Sequence, residues 1–295
     1  MPANVLVPLD RSSQSIAGLV YTLVSFPDAT VTALHVIDVE HDAYGEVESS
    51  EPSDEQRQRA GERLLERATE VASEYDRTVE KVLETGIPHR TIVEYTVEHD
   101  IDHVVMGSHG ESPVVGPFLG HVSEAVVQRV PVSTTIVPES QSELLQRDFP
   151  GRILVPVDGS EQSIAALKFA ISQFSEGQIT ILHTVRLPFE YKSEAFEGTG
   201  LDNIVEVMTD QGEAILDSVG KVVEDNNLVV EMELTYGDPS RSILEYAVES
   251  EFDQIVMGSH GRSLPARIIV GSVAETVSRR STISVTLVRG RPNEL

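Results

Sequence analysis

Short apolar runs alternate along the chain with longer stretches of helical spacing. Asn4–Leu9 is unbroken and apolar, as a strand buried on both faces must be, and the polar turn Asp10-Arg11-Ser12 can cap the helix expected over Ser15–Val24. Thr30–Val36, rich in β-branched residues, is the next strand, and the acidic, irregular residues 42–53 suit a surface loop. From Asp54 to Tyr75, apolar residues fall at Ala60, Leu64, Leu65, Ala68, Val71 and Ala72, which predicts a helix with one buried face. The arginines and glutamates between them form its solvated face. A strand over Thr78–Leu83 leads through Gly86 and Pro88 into a helix from about His89 to Glu98. Val104–Met106 is a fourth strand, followed by a glycine-containing loop from Gly107 to Gly120, a helix to about Val130 and a fifth strand over Val132–Val137. This alternation calls for an α/β fold, a parallel sheet with helices on both faces.

The pattern then restarts. Glu94–Gly110 and Glu245–Gly261 agree at eleven of seventeen positions, so the chain is a tandem duplication. The offset is 148 residues from Asp10 to Asp158 and 151 from Gly107 to Gly258, so the second copy gained three residues between them. Two domains are expected, 1–138 and 151–295, joined by a polar linker over 139–150 with a proline at each boundary. With no cysteine among 295 residues, neither a disulfide framework nor a thiolate metal site is possible. No apolar run approaches the roughly 18 residues of a membrane span, and the amino terminus lacks a basic segment leading into an apolar one. A cytoplasmic protein is therefore expected.

The second copy holds the clearest chemistry. Ile255-Val256-Met257 is a buried strand that Gly258 ends, here read as a position needing backbone angles closed to other residues; Gly261 and Gly271 complete the spacing Gly-x2-Gly-x9-Gly. Ser272 follows, and a helix is expected from Val273 to Arg280, its first amides and positive dipole end turned toward an anion. A strand, glycines permitting close approach, a hydroxyl and a helix start appear in the order a phosphate loop requires. Ser272 and Glu275 also fit the S-x-x-E capping box, which would make Ser272 a helix cap alone or a cap and a phosphate contact in turn. The lysine-containing ATPase loop, the dinucleotide fingerprint and a Gly-x-Ser-x-Gly nucleophile turn are all missing from the sequence.

This arrangement resembles the universal stress protein family, in its ATP-binding branch, over nearly the whole chain and twice over. The resemblance implies in each copy a Rossmann-like, adenine nucleotide alpha hydrolase-like sheet of five parallel strands in the order 3-2-1-4-5. It implies that the glycine loop holds ATP phosphates while the aspartate after the first strand lies by ribose and adenine. Carried over by position, the second copy's binding residues are Pro156, Asp158, Thr184, Gly258, His260, Gly261, Gly271, Ser272 and Val273. Those of the first copy are Pro8, Asp10, Val36, Gly107, His109, Gly110, Gly120 and His121. Thr184 departs from the valine that the family often has and that Val36 supplies. The resemblance further implies a stress-related role, ATP with or without Mg2+ as ligand, and a pseudo-dimer formed inside the chain by the two fifth strands, Val132–Val137 and Ile283–Val288, with a homodimer of whole chains as a further step. A binding module is the first functional class. A slow ATP hydrolase and a scaffold working through protein contacts are the alternatives, for no catalytic base or catalytic residue is visible in the sequence.

Charge changes the picture in two ways. The formal net charge of −26, from 48 acidic and 22 basic residues, repels nucleic acid and anionic membranes. Because 40% of residues are hydrophobic and fall in regular runs, it points to a halophilic, salt-rich cytoplasm, where molar salt screens charge over about 3 Å, rather than to disorder. Within the loops, Arg262 and Arg267 of the second copy contrast with Glu111 of the first, and Ser272 with the bulkier His121, so the second site is expected to bind ATP better. A protonated His121 binding phosphate, and the closer family match of Asp10 and Val36, argue the other way. His99 and His103 stand four apart but straddle a helix-to-strand turn with no third ligand in view, so no metal site is expected. His35 and His183, each where a second strand ends, suit a structural hydrogen bond or an adenine-side contact.

Overall fold

Val5, Leu6 and Val7 of β1 (Asn4–Pro8) have no solvent exposure at all. Alternate residues of a strand point to opposite faces, so both faces of the sheet are covered at this strand. The computed structural model describes residues 2–39, 53–110, 119–138, 149–187, 202–224, 230–260 and 270–290, and the chain divides into two compact units, Met1–Phe149 and Pro150–Leu295. The acidic stretch over 40–52 and most of the expected linker, 139–148, lie outside the described residues.

In the first unit β1 is followed by α1 (Ser13–Ser25), β2 (Thr30–Asp38), α2 (Asp54–Glu74), β3 (Glu80–Gly86), α3 (Pro88–Glu98), β4 (His103–Gly107), α4 (His121–Arg129) and β5 (Ser133–Val137). The strand order is β3-β2-β1-β4-β5, all parallel. Helix α1 packs with α2, and α3 with α4. The first three helices start where local chemistry lets them: Ser12 Oγ accepts from Ser15 N (3.2 Å), Ser53 and Gln56 form a reciprocal capping box, and Pro88 opens α3 where a missing amide costs nothing. The third strand runs later than its composition suggests, from Glu80 to Gly86 rather than Thr78 to Leu83, because its register is set by β2, with Thr32 beside Glu80 and Asp38 beside Gly86.

The second unit repeats the plan with β6 (Arg152–Pro156), α5 (Glu161–Gln173), β7 (Gln178–Val185), α6 (Asp202–Glu224), β8 (Glu231–Tyr236), α7 (Pro239–Glu249), β9 (Gln254–Gly258), α8 (Ser272–Arg280) and β10 (Ser284–Val288). Its order, β8-β7-β6-β9-β10, is the same parallel 3-2-1-4-5 arrangement. Ile153, Leu154 and Val155 again have no exposure. In each unit the strand order reverses between the first and fourth strands, β1 and β4 or β6 and β9. Ligand crevices of open α/β sheets form beyond the carboxyl ends at such a switch point.

Candidate functional site

The switch point brings the tip of the first strand against the loop after the fourth. Pro8 and Pro156 end β1 and β6, and two residues on stand Asp10 and Asp158. Asp10 Oδ1 accepts from Ser12 N (3.0 Å) and from Ser12 Oγ; Asp158 Oδ1 accepts from Ser160 N (2.9 Å). One carboxylate oxygen thus braces the turn. In the first unit the other faces the glycine loop, since a methyl group placed on Gly110 would lie 2.5 Å from Asp10 Oδ2. A methyl on Gly120 would lie 3.3 Å from His109 Cα and 3.4 Å from Gly110 N. Asp10, His109, Gly110 and Gly120 therefore converge on one small volume. Gly261, the second-unit counterpart of Gly110, lies outside the described residues, as do Glu111, Arg262 and Arg267.

Gly107 and Gly258 have a different purpose from the one their sequence context suggests. Neither has a positive φ; among the described residues the left-handed glycines are Gly151, Gly159 and Gly237. A methyl on Gly258 would sit 2.9 Å from the backbone carbon of Gln162, and one on Gly107 would sit 2.8 Å from that of Gln14. These glycines let the first turn of α5 or α1 rest directly on the strand end, so they fix the crevice wall rather than bend the chain.

The start of the last helix also differs from the capping-box expectation. The N-cap of α8 is Gly271, with extended backbone angles, and that of α4 is Gly120; neither helix has a side-chain cap bond. Glu275 N donates to Gly271 O (2.8 Å), so the helix starts one residue early for a capping box: Ser272 is not the N-cap, and Glu275 falls one place beyond the third helical position. Ser272 is the first helical residue and Val273 the second, and among the described residues no side chain caps the opening amides of α8. His121 takes the matching place in α4, exposed, its ring edge-on to His89 at 6.0 Å between centroids. Both loops are pinched at the neck: Gly120 N donates to Ser108 O and Gly271 N to Ser259 O, each at 2.8 Å.

The histidines sort by their partners. His35 Nδ1 donates to Leu9 O (2.8 Å) and His183 Nδ1 to Val157 O (2.7 Å), locking the carbonyl just before each aspartate. Gly61 of α2 and Gly212 of α6 admit these rings, since a methyl on either would come within 2.8 or 3.1 Å of the imidazole Cδ2. The structural reading of this pair is the one the geometry favours. Val36 lies next along β2, half-buried, and Thr184 takes its place in β7, its hydroxyl meeting that of Thr235 (3.1 Å), so the departure from valine is absorbed as a cross-strand pair. His109 Nδ1 and His260 Nδ1 hydrogen-bond Ser108 Oγ and Ser259 Oγ, both at 3.0 Å. His99 stacks on Tyr95, with centroids 3.7 Å apart. His103 is fully buried, its Nε2 bonded to Thr135 Oγ1 (2.8 Å), and burial pushes its pKa down to about 3.

One residue at the second site escaped sequence reasoning. Val288 of β10 pairs with Gly258, and Ser259 N donates to Val288 O (3.0 Å), so the residue after Val288 reaches the loop neck. That residue is Arg289, whose own pKa burial lowers. The pKa of His260 is lowered first by its burial and then by the Arg289 charge. The first unit has Pro138 there. Only the strand order makes Arg289 a neighbour of the glycine loop; a comparison of the two copies shows the substitution but not its place.

With this geometry in view, comparison with known proteins is specific. The profile of the universal stress protein family matches residues 1–138 and again 150–289. A universal stress protein of Methanocaldococcus jannaschii is 31% identical over 140 residues, 47% of this chain and 81% of that protein. One of Mycobacterium bovis is 23% identical over 299 residues and spans 97% of each chain. The crystal structure of a universal stress protein from Archaeoglobus fulgidus, 22% identical, superposes with a TM-score of 0.67 and covers 97% of this chain and 98% of its own, which establishes likeness of fold.

Proposed function

This chain belongs to the universal stress protein family, and we propose that it is a cytoplasmic binding module for an adenine nucleotide, ATP with or without Mg2+, held more tightly in its second unit and serving a stress-related, regulatory role. The observation that carries the reading is the start of α8, a helix with no side-chain cap whose N-cap glycine is pinned to the strand tip by the Gly271–Ser259 bond. Helix-start amides that no described side chain caps, with the dipole behind them, suit a phosphate group. Asp158, one strand away at the switch point, suits the ribose or adenine end of the same ligand. Arg289 adds a cation beside His260 where the first unit has proline, and Arg262 and Arg267 in the loop sequence act in the same direction.

The test is calorimetry with ATP on the wild type and on two folded variants. Gly271→Val should abolish the tighter site by blocking the helix start, and Gly120→Val should spare it. If Gly120→Val does the greater harm, the preference for the second unit fails. A protein that binds no adenine nucleotide, and releases none to mass spectrometry when freshly purified and denatured, ends the reading. ADP accumulating at a steady rate would replace binding by hydrolysis. Assembly belongs to the same proposal: the two apolar fifth strands are edges that natural sheets cover, so we assign them to each other, with a dimer of whole chains as the further step. Cysteines introduced on both strands of this cysteine-free chain should cross-link within one molecule; failure in every register removes that part.

A further inference from the structure

A cleft of about 330 Å³ in the first unit is lined by Arg11, Ala60, Arg63, Leu64 and Arg67. Its position follows from the fold. Arg11 succeeds Asp10 at the tip of β1, and Ala60 adjoins Gly61, which rests on the His35 ring at the carboxyl end of the sheet. Arg63 and Arg67 stand one turn apart on α2, so two like charges share a face of the helix, an arrangement that by itself destabilises it.

Solvation of a helix face does not account for the grouping. Arg57 and Arg59 of the same helix pair with Asp54 (2.8 Å) and Glu55 (3.4 Å). Among the described residues Arg63 and Arg67 make no such pair, although Glu62 and Glu66 stand beside them in sequence. The second unit is an internal control, because Gly212 rests on His183 as Gly61 does on His35, which fixes the correspondence. There Arg11, Arg63 and Arg67 become Gly159, Ala214 and Ser218. The second unit keeps the same fold with none of the three, and a chain of net charge −26 with 22 basic residues has gathered three of them at one opening in the first.

We propose that this cleft is an anion site of the first unit, taking a multiply charged phosphoryl compound. The exposed guanidinium groups of Arg63 and Arg67 present planar forks of donors matched to phosphate oxygens, and the Leu64 and Ala60 floor beside them lowers competition from water. The site is independent of the glycine loops and does not rest on the nucleotide reading. The ligand is either a free polyphosphate-type anion or the phosphate tail of a nucleotide seated by Asp10, and the two sources share the chemistry that the arginines recognise.

Inorganic pyrophosphate is the probe, titrated into the full chain with the amide and arginine Nε signals followed by NMR. In the Gly120→Val/Gly271→Val background, which removes competition from both loops, pyrophosphate should still shift the signals of Arg63 and Arg67. Arg63→Ala/Arg67→Ala in that background should raise its Kd on the order of tenfold or more. Both arginines are exposed, so the variant should stay folded, and Arg63→Glu provides a second, charge-reversed check with the same expected loss. Displacement of pyrophosphate at markedly lower concentration by ATP than by inorganic triphosphate assigns the cleft to a nucleotide tail, and displacement by inorganic triphosphate as well as or better than by ATP assigns it to a free anion. Pyrophosphate that shifts no α2 signal, or that binds the double-alanine and charge-reversed variants as tightly as it binds the Gly120→Val/Gly271→Val background, overturns the proposal.

Discussion

Replacing Gly107 or Gly258 by alanine should cost stability even with no ligand present. At Gly258 the added methyl meets the backbone carbon and Cβ of Gln162 at 2.9 Å each and its carbonyl oxygen at 3.0 Å; at Gly107 the same atoms of Gln14 lie at 2.8, 2.8 and 2.9 Å. These are mostly atoms of a helix backbone, which cannot rotate away, so α5 or α1 must lift off the strand. Overpacking of this kind costs about 1–3 kcal/mol. Taking 2 kcal/mol, the melting temperature of the affected unit should fall by roughly 4–8 °C. Gly18→Ala is the matched control: it enters the contact between α1 and β4 from the helix side, where its methyl would meet Gly107 N at an ordinary 3.4 Å. It should be neutral or slightly stabilising, since alanine favours helix by about 1 kcal/mol over glycine. Thermal and urea unfolding of the three variants without nucleotide checks the argument. If Gly107→Ala and Gly258→Ala unfold like the wild type, the glycines are not there for packing and the reasoning is wrong.

Three further outcomes are expected. His103 is buried with its pKa lowered to about 3 from an ordinary 6.5, so the unfolded chain binds its proton first: stability is intact above about pH 6.5 and falls as the pH drops toward 3, at up to about 1.4 kcal/mol per pH unit. His103→Gln, which copies Gln254 of the second unit, should flatten that slope between pH 7 and 5, and an unchanged slope would clear His103 of the effect. Arg289→Met, keeping the apolar stem, should weaken ATP binding on the order of tenfold; equal affinity of the folded variant in calorimetry would exclude Arg289 from the site. Lowering salt from the molar range, which lengthens screening from about 3 Å to about 10 Å at 0.1 M, should weaken both folding and ATP affinity of so acidic a chain, and a titration showing steadily tighter binding would contradict this.

The five strands and four helices described in each unit are legible because buried parallel strands are unbroken apolar runs and the helices between them carry one apolar face. Edges are harder. β3 has no fully buried residue, so its limits come from pairing with β2 and not from its own pattern. At the site, the glycine spacing is visible, but the reason for a glycine is not: Gly258 looks like a chain reversal and is a contact with Gln162, a residue ninety-six positions earlier. Ser272 and Glu275 match a capping box by spacing, yet the box also depends on where the helix begins, and that is decided by the bond from Gly271 to Ser259. Arg289 and the arginines at 11, 63 and 67 are invisible for a related reason. Each reads singly as a surface charge, and only the strand order and the seating of α2 bring them beside anything.

The pinched loop neck has a consequence for how such a chain changes over generations. One backbone bond, Ser108 to Gly120 or Ser259 to Gly271, sets where the last helix starts whatever lies between. Lengthening a closed loop is cheap, about 0.6 kcal/mol for each doubling. The contents can therefore be rewritten without disturbing the sheet, and the two halves of this chain already differ in this way: of the nine residues between Gly110 and Gly120, only Ser112 recurs, as Ser263, between Gly261 and Gly271. Ligand preference is thereby uncoupled from folding, so one half can drift toward a new ligand while the other keeps the old one.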